Sequence, residues 1–589
     1  MPVRLPAPVP TTAQAAESLV GRLVTWATDR PDEPAYTFVD YLVEPGGRPQ
    51  TLTWAQLDRR VRTLAGRLRQ MTAPGDRVAV LAPSGLDYVV ALYAAWYAGA
   101  VAVPLFAPGL PGHAERLVAA YDDCAPRCVL TVADAAAAVR DFVADRAQPA
   151  EVLVVDAAGD PAEPPADEPV SFALDEVAYL QYTSGSTRTP AGVEITHRNL
   201  TANVAQLWSA LTGGRERITG VNWLPLFHDM GLLSTVALPL WKGTDSVFLD
   251  PVAFLMQPAR WLRLLSGREA AFTAAPNFAY ELCLRRLRQE DLDGLDLSGV
   301  FLWLNGAEPV RADTLHRFAT ALRDTGVDER ALCAAYGLAE ATVFVSGQSP
   351  ELPPAVWRVD RDRLAAGEAV PPDGDAVASE LVSCGPPAGQ QVAIVDPATG
   401  AVLPPGRVGE VWVHGPNVAR RYWRQPERSD AVFAARLDPA PDGLPAGPWL
   451  RTGDLGTRHD GELFITGRLK DLLIVAGRNH YPQDIEVTVA QAAPAMRAGR
   501  IAVFAVTISG EERAVVVGER SRSAPASEPD GMAQTIRQAV WRGHDLALHD
   551  VLLTEPGAVP HTSSGKISRS ACREQYLAGA FTAEQGERR

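Results

Sequence analysis

The segment Tyr182-Thr-Ser-Gly-Ser-Thr-Arg-Thr-Pro-Ala-Gly192 separates two apolar, strand-like runs, Val177 to Leu180 and Val193 to Ile195. Hydroxyl residues and glycines between two such runs predict a hairpin with a flexible loop. The hydroxyls can donate hydrogen bonds to an anion, and a glycine lets backbone N–H groups approach it closely. The loop lacks the G-x-x-x-x-G-K-[ST] pattern of a P-loop. By itself it leaves two interpretations open, a phosphate-binding loop and an ordinary solvated turn.

The composition is typical of a globular protein built from several compact units. The chain has 589 residues, a net charge of −15, 47% hydrophobic residues and 21% charged residues. The negative charge argues against a general affinity for nucleic acid or for an anionic membrane surface. Six cysteines without a metal-ligand pattern indicate free, buried thiols in a reducing compartment. Because residues 1–10 also lack the apolar core of a signal peptide, we expect a cytoplasmic protein.

One uncharged stretch of 23 residues, Tyr88 to Leu110, has the length of a membrane span. It contains Gly99 and Pro104 and is rich in alanine. We therefore expect a buried helix, a turn and a short buried strand there, and no integral membrane segment.

Helix and strand patterns alternate through the first half, which predicts an α/β fold with mostly parallel, buried strands. The predicted helices are Leu57 to Met71, Tyr88 to Tyr97 and His113 to Asp123. The predicted strands are Arg77 to Leu81, Ala100 to Pro104, Arg127 to Thr131, Glu151 to Val155, Val300 to Leu304 and Ala331 to Tyr336. We expect residues 1–466 to form a large N-terminal domain of mixed, mostly parallel sheets packed with helices.

The pattern changes near residue 382, where short alternating strands such as Val392 to Val395 and Gly409 to His414 begin. They predict a β-rich subdomain over about residues 382–466. A hinge is expected at residues 467–471 and a small, mobile α+β domain at residues 472–589. The elements expected in that domain are strands Ala502 to Val506 and Ala514 to Val517, helix Ala533 to Gly543 and a loop at Pro560 to Gly565.

Two groups of motifs have both a structural and a functional interpretation. Asn222-Trp-Leu-Pro-Leu-Phe-His-Asp-Met-Gly-Leu232 makes His228 either a core histidine satisfied by Asp229 or a contact for a substrate carboxylate. Leu304-Asn-Gly-Ala-Glu-Pro309 and Ala335-Tyr-Gly-Leu-Ala-Glu-Ala-Thr342 follow strands, where α/β sheets bind ligands. There Tyr336 could stack on a base and Glu340 could hold a divalent cation, or both motifs could be capped turns.

Two motifs in the second half carry charged groups. Trp449-Leu-Arg-Thr-Gly-Asp-Leu455 contains Asp454, which can accept hydrogen bonds from two ribose hydroxyls, and Arg468 follows with a planar set of donors. Thr562-Ser-Ser-Gly-Lys-Ile567 places Lys566 on a Ser/Gly loop. That lysine could deliver charge to a remote site or could simply be solvated.

The order and spacing of these motifs resemble the adenylate-forming superfamily of acyl-CoA synthetases, peptide-synthetase adenylation domains and luciferases. The resemblance spans about residues 15–578, and within the superfamily the chain looks most like the fatty acyl-AMP ligases. The segments that narrow it are Trp223 to Gly231, Tyr336 to Thr342 and Ala476 to Pro482. An insertion typical of those ligases would lie at about residues 352–382.

The resemblance implies that a fatty acid attacks the α-phosphate of ATP, with Mg²⁺, to give an acyl-adenylate and pyrophosphate. The implied residues are Lys566 and His228 for catalysis, His228, Asp229 and Gly231 for the substrate, Glu340 for the metal and Lys470 as the hinge. The implied ATP-binding residues are Thr183, Ser184, Gly185, Ser186, Thr187, Asn305, Gly306, Ala307, Glu308, Ala335, Tyr336, Gly337, Asp454 and Arg468.

The resemblance also implies transfer of the acyl group to the phosphopantetheine thiol of an acyl carrier protein. Arg478 stands where CoA-using relatives more often have a small residue facing the thiol tunnel. The alternative is a fatty acyl-CoA ligase that uses free coenzyme A. A catalytically silent docking module is disfavoured because Lys566, Glu340 and Asp454 are all present. The expected assembly is a monomer or a weak dimer.

Two positions of the hydroxyl loop depart from the superfamily. Arg188 stands where many members have glycine, and Ala191 stands where most have lysine. We hypothesise that Arg188 replaces that lysine near the pyrophosphate. The acyl tunnel is expected between the helix after His228 and the segment Ala274 to Tyr280, where Phe278 and Tyr280 could shorten it.

Overall fold

The structure, a computed structural model, describes residues 18–110, 113–155, 169–183, 191–475, 478–508, 511–521, 529–562 and 566–581. Its strands are β1 Pro34–Asp40, β2 Arg48–Thr53, β3 Arg77–Leu81, β4 Val101–Leu105, β5 Cys128–Thr131, β6 Glu151–Val154, β7 Val177–Tyr182, β8 Gly192–Thr196, β9 Thr219–Asn222, β10 Ser246–Leu249, β11 Ala271–Ala275, β12 Val300–Asn305, β13 Leu332–Gly337, β14 Phe344–Gly347, β15 Val356–Asp360, β16 Ala378–Val382, β17 Gln391–Val395, β18 Gly409–His414, β19 Leu450–His459, β20 Glu462–Arg468, β21 Leu473–Val475, β22 Arg478–His480, β23 Met496–Ile508, β24 Glu511–Arg520 and β25 Leu548–Thr554.

The α-helices are α1 Leu19–Asp29, α2 Trp54–Met71, α3 Leu86–Tyr97, α4 Ala114–Cys124, α5 Ala136–Ala144, α6 His197–Leu211, α7 Asp229–Gly231, α8 Leu238–Lys242, α9 Pro251–Met256, α10 Ala259–Leu265, α11 Asn277–Arg286, α12 Gln289–Leu292, α13 Ala312–Ala321, α14 Arg361–Ala365, α15 Pro426–Phe433, α16 Pro482–Ala492, α17 Pro529–His544 and α18 Arg569–Leu577.

Two large sheets form the N-terminal part. One has the strand order β6-β5-β3-β4-β7-β8 and the other the order β14-β13-β12-β11-β9-β10-β1-β2. Their inner strands pair in parallel, whereas β8, β14 and β2 add antiparallel edges. The predicted α/β class with mixed, mostly parallel sheets is therefore confirmed. A single apolar core joins the two sheets, and Trp54, Trp96, Trp261 and Trp303 lie fully buried in it.

Most predicted elements are present with shifts of a few residues at their ends. The helix predicted from Leu57 begins at Trp54 because Thr53 caps it: Gln56 N–H donates to Thr53 Oγ1, and Thr53 N–H donates to Gln56 Oε1. Such a reciprocal cap fixes the first helical residue. All six cysteines are buried and free, as expected.

The uncharged stretch from Tyr88 is a buried helix and strand, α3 and β4, as predicted. Within the described ranges, no helix has both the length and the apolar content needed to cross a membrane.

The second half contains the smaller sheets. Strands β17 to β20 form a four-stranded antiparallel sheet, and β23, β24 and β25 form the sheet of a small C-terminal domain with its own apolar core. Gly467 and Arg468 still belong to β20, so the break in regular structure is confined to the short helical turn Leu469–Asp471. The insertion-like region forms the hairpin β15–β16 with α14 between its strands.

Candidate active site

Three polar loops lie side by side at one edge of the eight-stranded sheet. Strands β9, β11, β12 and β13 are parallel neighbours, so their carboxyl ends share that edge. β9 leads to His228, β12 leads to Glu308 and β13 leads to Glu340. The topology thus brings together three motifs that are far apart in the sequence.

His228 and Asp229 form a close pair in the first of these loops. His228 Nδ1 lies 2.7 Å from Asp229 Oδ1, and Met230 N–H donates to the same oxygen at 2.7 Å. Burial alone would raise the pKa of Asp229, but the neighbouring His228, and after it Lys566, outweigh burial and lower this pKa to about 2. Asp229 is therefore ionised at neutral pH and gives the imidazole a fixed carboxylate neighbour.

Close packing explains why position 231 is a glycine. A β-carbon at Gly231 would lie 2.1 Å from the Pro225 carbonyl oxygen, so no other residue fits there. The sequence suggested a close backbone approach to a substrate, and the close approach that the structure shows is to Pro225.

The helix after His228 contains a π-helical turn, Leu232–Ala237, between α7 and α8. Such a turn disturbs the regular helical hydrogen bonds and leaves main-chain carbonyls in need of donors. The hydroxyls of Tyr36 and Tyr93 lie 2.6 and 2.9 Å from the Val236 carbonyl oxygen. Nothing in the local sequence predicts this turn, because both tyrosines come from distant elements.

Asp454 lies between a tyrosine and an arginine. Tyr336 Oη donates to Asp454 Oδ2 at 2.7 Å, and Arg468 Nε donates to Asp454 Oδ1 at 3.2 Å. Burial and the Asp454 charge raise the pKa of Tyr336 well above its usual value, so Tyr336 is a donor at neutral pH. Each carboxylate oxygen of Asp454 keeps a further lone pair that can accept from a hydroxyl group.

The turn before Asp454 is held by Glu410, a residue that the sequence did not single out. Its carboxylate accepts from Gly453 N–H at 3.1 Å, from Trp412 Nε1 at 3.0 Å and from Arg451 Nη2 at 2.8 Å. Gly453 has a φ of +70°, a conformation that glycine adopts without strain. An acidic residue near the start of the otherwise apolar strand β18 was the available signal for this role.

Glu340 is linked to the hairpin that carries the hydroxyl loop. Its Oε1 accepts from Tyr422 Oη at 2.7 Å, and its carbonyl accepts from Ala419 N–H at 2.9 Å. Tyr422 in turn pairs with Val193 of β8. One short segment therefore connects Glu340 with the β7–β8 hairpin.

Most of the hydroxyl loop lies outside the described residues. Thr183 N–H donates to the Ala191 carbonyl at 3.3 Å, which closes the described part of the hairpin. The predicted phosphate contacts Ser184, Gly185, Ser186 and Thr187, and also Arg188, fall outside that part.

Arg116 lies beside this hairpin and was not singled out from the sequence. Its Nη2 donates to the Tyr182 carbonyl at 3.4 Å. Burial lowers the pKa of its guanidinium to about 10, and the charge of Asp229 opposes that shift. Arg116 is thus a cation between the end of β7 and the His228 loop. Its only sequence signal is an arginine in the first turn of the helix after β4.

The end of β12 is deeply buried, and the segment after it is partly exposed. Asn305, the last residue of β12, has 0% exposure, and its Nδ2 donates to Asn277 Oδ1 at 3.3 Å. Glu308 Oε1 accepts from Phe278 N–H at 2.6 Å, and burial raises the pKa of Glu308 above its usual value.

The remaining residues predicted at these strand ends are main-chain positions in tight contact. Gly306 packs against the Ala335 carbonyl, 3.1 Å from where a β-carbon would lie. Ala307 has a positive φ of +68°. A β-carbon on Gly337 would lie 1.6 Å from the Val343 carbonyl. These contacts keep the loops after β12 and β13 close together.

Lys566 joins this site from the far end of the chain. Its N–H donates to Thr562 Oγ1 at 3.2 Å, and its carbonyl accepts from Thr562 N–H at 2.8 Å. Burial and the charge of Arg468 lower the pKa of Lys566, whereas carboxylates oppose that shift. The carboxylates are Asp229, Glu308 and Asp454, which come from three separate segments of the chain.

Lys470 has its side chain at the same site. Burial and then Arg468 lower the pKa of Lys470, and the nearby acids Asp454 and Glu340 raise it. The sequence predicted Lys470 only as a hinge. The chain contains just three lysines, and two of them, Lys470 and Lys566, meet here.

Aromatic side chains line the region beside His228. Trp223 stacks on Phe254 with ring centroids 3.9 Å apart, and Phe278 packs edge-on against Trp223 at 6.0 Å. Tyr280 is fully buried behind this layer, against Trp261. Phe278 is therefore better placed than Tyr280 to limit an acyl chain.

Arg478 makes ion pairs on two sides. Its Nη2 lies 2.7 Å from Asp362 Oδ1 of the insertion, and its Nη1 lies 3.0 Å from Asp545 Oδ2. Its expected place at a thiol tunnel stays a prediction.

Comparison with known proteins gives matches over most of the chain. The AMP-binding enzyme family matches residues 23–423, and the AMP domain of Disco-interacting protein 2-like proteins matches residues 470–586. The chain is 43% identical to the long-chain-fatty-acid–AMP ligase FadD26 of Mycobacterium marinum, over 97% of this chain and 99% of the relative. It is 41% identical to the 4-hydroxyphenylalkanoate adenylyltransferase of Mycobacterium tuberculosis, over 97% and 93%.

A solved structure is also similar. It comes from structural and functional studies of fatty acyl-adenylate ligases from E. coli and L. pneumophila, and it is 32% identical. The two folds superpose with a TM-score of 0.84, covering 96% of this chain and 98% of that chain. Its similarity and that of FadD26 extend over nearly the whole length of each protein, and so the chain belongs to the fatty acyl-AMP ligases of the AMP-binding enzyme family.

Proposed function

We propose that the protein activates a fatty acid with ATP to an acyl-adenylate and then transfers the acyl group to an acyl carrier protein. In the transfer the phosphopantetheine thiol attacks the acyl carbonyl, a thioester forms, and the bond to AMP breaks so that AMP leaves. The observation that carries the first step is the convergence of Lys566 with Asp229, Glu308 and Asp454. Free, buried cysteines support a cytoplasmic location for this chemistry. The similarity to FadD26, named for long-chain fatty acids, supports the substrate class.

ATP fits the edge formed by β12, β13 and the Asp454 turn. The ring of Tyr336 would contact the adenine while its hydroxyl keeps Asp454 in place. Asp454 would accept hydrogen bonds from the ribose hydroxyls through its remaining lone pairs. The hydroxyl loop, with Arg116 beside it, would bind the β- and γ-phosphates.

Glu340 fits the requirements of a Mg²⁺ ligand. In nucleotide sites Mg²⁺ takes one or two carboxylates together with phosphate oxygens. Glu340 is a part-exposed carboxylate with one oxygen engaged by Tyr422, so its second oxygen is directed elsewhere. A bound Mg²⁺ would neutralise part of the phosphate charge.

In the activation step a carboxylate oxygen of the fatty acid attacks the α-phosphorus of ATP. A new P–O bond forms, and the bond to the leaving pyrophosphate breaks. Lys566 would lie between the carboxylate and the α-phosphate, where its positive charge offsets the negative charge that develops. His228, beside Asp229, would orient the carboxylate.

The transfer step requires the Lys566 segment to move away from the adenylate. We propose a rotation at Lys470, between an N-terminal unit of residues 1–466 and a C-terminal unit of residues 472–589. The short turn Leu469–Asp471 is a position where a few residues can absorb the backbone change. The ion pair between Arg478 and Asp362 would have to break in that rotation, so the insertion would influence its rate.

Pyrophosphate release across a series of fatty-acid lengths tests the activation step, and thioester analysis with holo-carrier protein or free coenzyme A tests the acceptor. We expect fatty-acid-dependent pyrophosphate release, with acyl-carrier as the main thioester. Acyl-CoA as the main product would replace the proposed acceptor by coenzyme A. No release with any fatty acid would overturn the activation step.

A further inference from the structure

Helix α9 exposes apolar side chains on its outer face. Val252, Leu255 and Met256 are 50%, 43% and 66% exposed. The inner face is buried, and there Phe254 stacks on Trp223 of the aromatic layer beside His228. Neighbouring exposed apolar side chains on a folded protein mark interaction surfaces.

The turn between β1 and β2 extends this surface. It exposes Leu42 and Val43, which are 80% and 62% exposed. Tyr41 of the same turn lies under the guanidinium of Arg260, 4.5 Å from its ring centroid. Arg260 Nη1 also donates to the Ala253 carbonyl of α9 at 3.2 Å, so Arg260 joins the turn to the helix.

A cleft of about 380 Å³ opens at the end of α9. Its lining includes Met256, Gln257, Arg285, Arg286, Arg288 and Asp291. Arg286 Nη1 donates to the Leu255 carbonyl at 2.6 Å. A carbonyl satisfies the hydrogen bond without neutralising the charge of Arg286. Arg288 pairs with Glu290 at 3.4 Å, but both side chains are mostly exposed, so water weakens this pair. The cleft therefore keeps positive charge for an anionic partner.

The positive charge continues onto the C-terminal domain. Burial lowers the pKa of Arg285; Glu281 opposes that shift, and the charges of Arg286 and of Arg497 on β23 add to it. Burial also lowers the pKa of Arg500, where Glu519 opposes the shift and Arg497 and Arg285 add to it. Arg497 forms an ion pair with Glu519, so acids balance only part of the positive charge where α11 meets the C-terminal domain.

Helix α11 connects this surface with the active site. Phe278 in its first turn donates to Glu308 of the site, and Arg286 is its last residue. Eight residues separate them, which is about 12 Å along a helix. A protein on this surface would therefore lie within reach of the adenylate for a flexible arm.

We propose that α9, the β1–β2 turn and the arginine cleft form the docking surface for an acidic carrier domain that presents the phosphopantetheine arm. This inference rests on the proposed carrier-protein acceptor. Apolar contacts would provide the buried area, and the arginines would attract and orient carboxylates of the partner. The net charge of −15 would repel the same partner elsewhere, which confines docking to this surface.

A protein fits the surface better than a lipid bilayer does. None of the five exposed apolar side chains is aromatic, and one of them, Met256, borders the arginine cleft. Surface-bound membrane segments instead use a continuous apolar face that often carries aromatic residues.

The test uses Met256→Asp and Arg288→Glu, with Leu577→Asp and Arg59→Glu as matched controls on other exposed positions. Three rates are measured for each: pyrophosphate release, acyl transfer to free pantetheine and acyl transfer to a holo-carrier protein. We expect the first two to stay within about twofold of the wild type. For the carrier, kcat/KM should fall about tenfold in the two surface variants through a higher KM, and not in the controls.

A carrier with lysine in place of one acidic residue should recover part of the rate with Arg288→Glu. Equal carrier kinetics in surface variants and controls would overturn the docking surface and leave the proposed function standing. If the wild type releases pyrophosphate but acylates no carrier, the proposed acceptor is wrong and the docking surface is overturned with it. Binding to phosphatidylglycerol vesicles that Met256→Asp abolishes, with unchanged carrier transfer, would assign the surface to lipid instead.

Discussion

The Asp454 turn and the Lys566 loop serve one site but are held in different ways. Asp454 lies in a four-stranded sheet, has Tyr336 and Arg468 on its two oxygens, and follows a turn that Glu410 holds. Lys566 lies on a loop whose main-chain hydrogen bonds go to Thr562 of the same loop. The part that we propose to bind the nucleotide is thus built into the sheet, whereas the proposed catalytic lysine comes from a separate domain.

Removing the positive charge of Lys566 should have the largest effect on activity. Lys566→Ala should lower kcat for fatty-acid-dependent pyrophosphate release by about 10²- to 10³-fold, because Lys566 is the cation proposed to lie between the attacking carboxylate and the α-phosphate. The free energy of unfolding should change by less than about 0.5 kcal/mol, since the loop is local. The control is Lys242→Ala, at the one lysine of the chain outside the site. Equal loss in both variants would contradict the assignment.

Changing Asp454, which Tyr336 and Arg468 hold in place, should weaken nucleotide binding. Asp454→Asn removes one acceptor and places an amide beside Tyr336 or Arg468, so KM for ATP should rise about 10- to 100-fold. Asp460→Asn, on the exposed tip of the same hairpin, serves as the control and should leave KM unchanged. A normal KM in Asp454→Asn would show that this carboxylate does not bind the ribose.

Glu410, which holds the turn before Asp454, should contribute to the stability of the protein as well as to ATP binding. Glu410→Ala leaves Arg451, Trp412 and the Gly453 N–H without their shared acceptor. We expect a loss of about 2 kcal/mol in the free energy of unfolding, measured in urea, together with a higher KM for ATP. Glu427→Ala, on an exposed helix, is the control. An unchanged free energy of unfolding in Glu410→Ala would show that Glu410 does not stabilise the turn before Asp454.

The smallest expected effect depends on pH, and it involves Asp484, which lies where the C-terminal domain contacts the hairpin β15–β16. Ser379 Oγ of the insertion donates to Asp484 Oδ2 of the C-terminal domain at 3.5 Å, and burial raises the pKa of Asp484 to about 6. The contribution of Asp484 to stability is therefore full below about pH 4, where the unfolded chain also binds the proton, and is lost as pH rises through 6. Asp484→Asn should thus gain stability relative to the wild type between pH 4.5 and pH 7.5.

Urea unfolding at both pH values measures this difference. Asp362→Asn is the control, because Asp362 lies at the same interface in an exposed ion pair with Arg478. Its effect should depend on salt and show no step near pH 6. If the free energies of unfolding of the wild type and Asp484→Asn differ by the same amount at both pH values, the pKa of Asp484 is not raised in the folded protein.

The strand-end loops were predictable because their signal is local. Each consists of a buried strand followed at once by glycine and polar residues, as in Leu304 to Pro309. The burial of Asn305 was not predictable, since a polar residue at a strand end looks the same whether it faces a ligand or Asn277. The arrival of Lys566 followed only from the resemblance to a family.

The supporting residues could not be read from the sequence because their partners are distant. Glu410 meets Gly453 across 43 positions, and Tyr422 meets Glu340 across 82. Arg116 reaches the Tyr182 carbonyl across 66 positions. Local patterns record which residues can be buried, but they do not record which distant backbone group each of them will satisfy.

The π-helical turn after His228 gives this protein a place where its length can change by one residue. A π turn is a one-residue excess in a helix, so deleting one residue from Leu232–Ala237 would restore regular α-helix. Because the turn absorbs that extra residue, the helix beyond the deletion would keep its position and its face relative to His228. A single codon loss could thus remove one side chain of the turn and repack the others, while the loop that carries His228 stays where it is. The packing beside His228 can therefore change in a step of one residue without any change in His228 or Asp229.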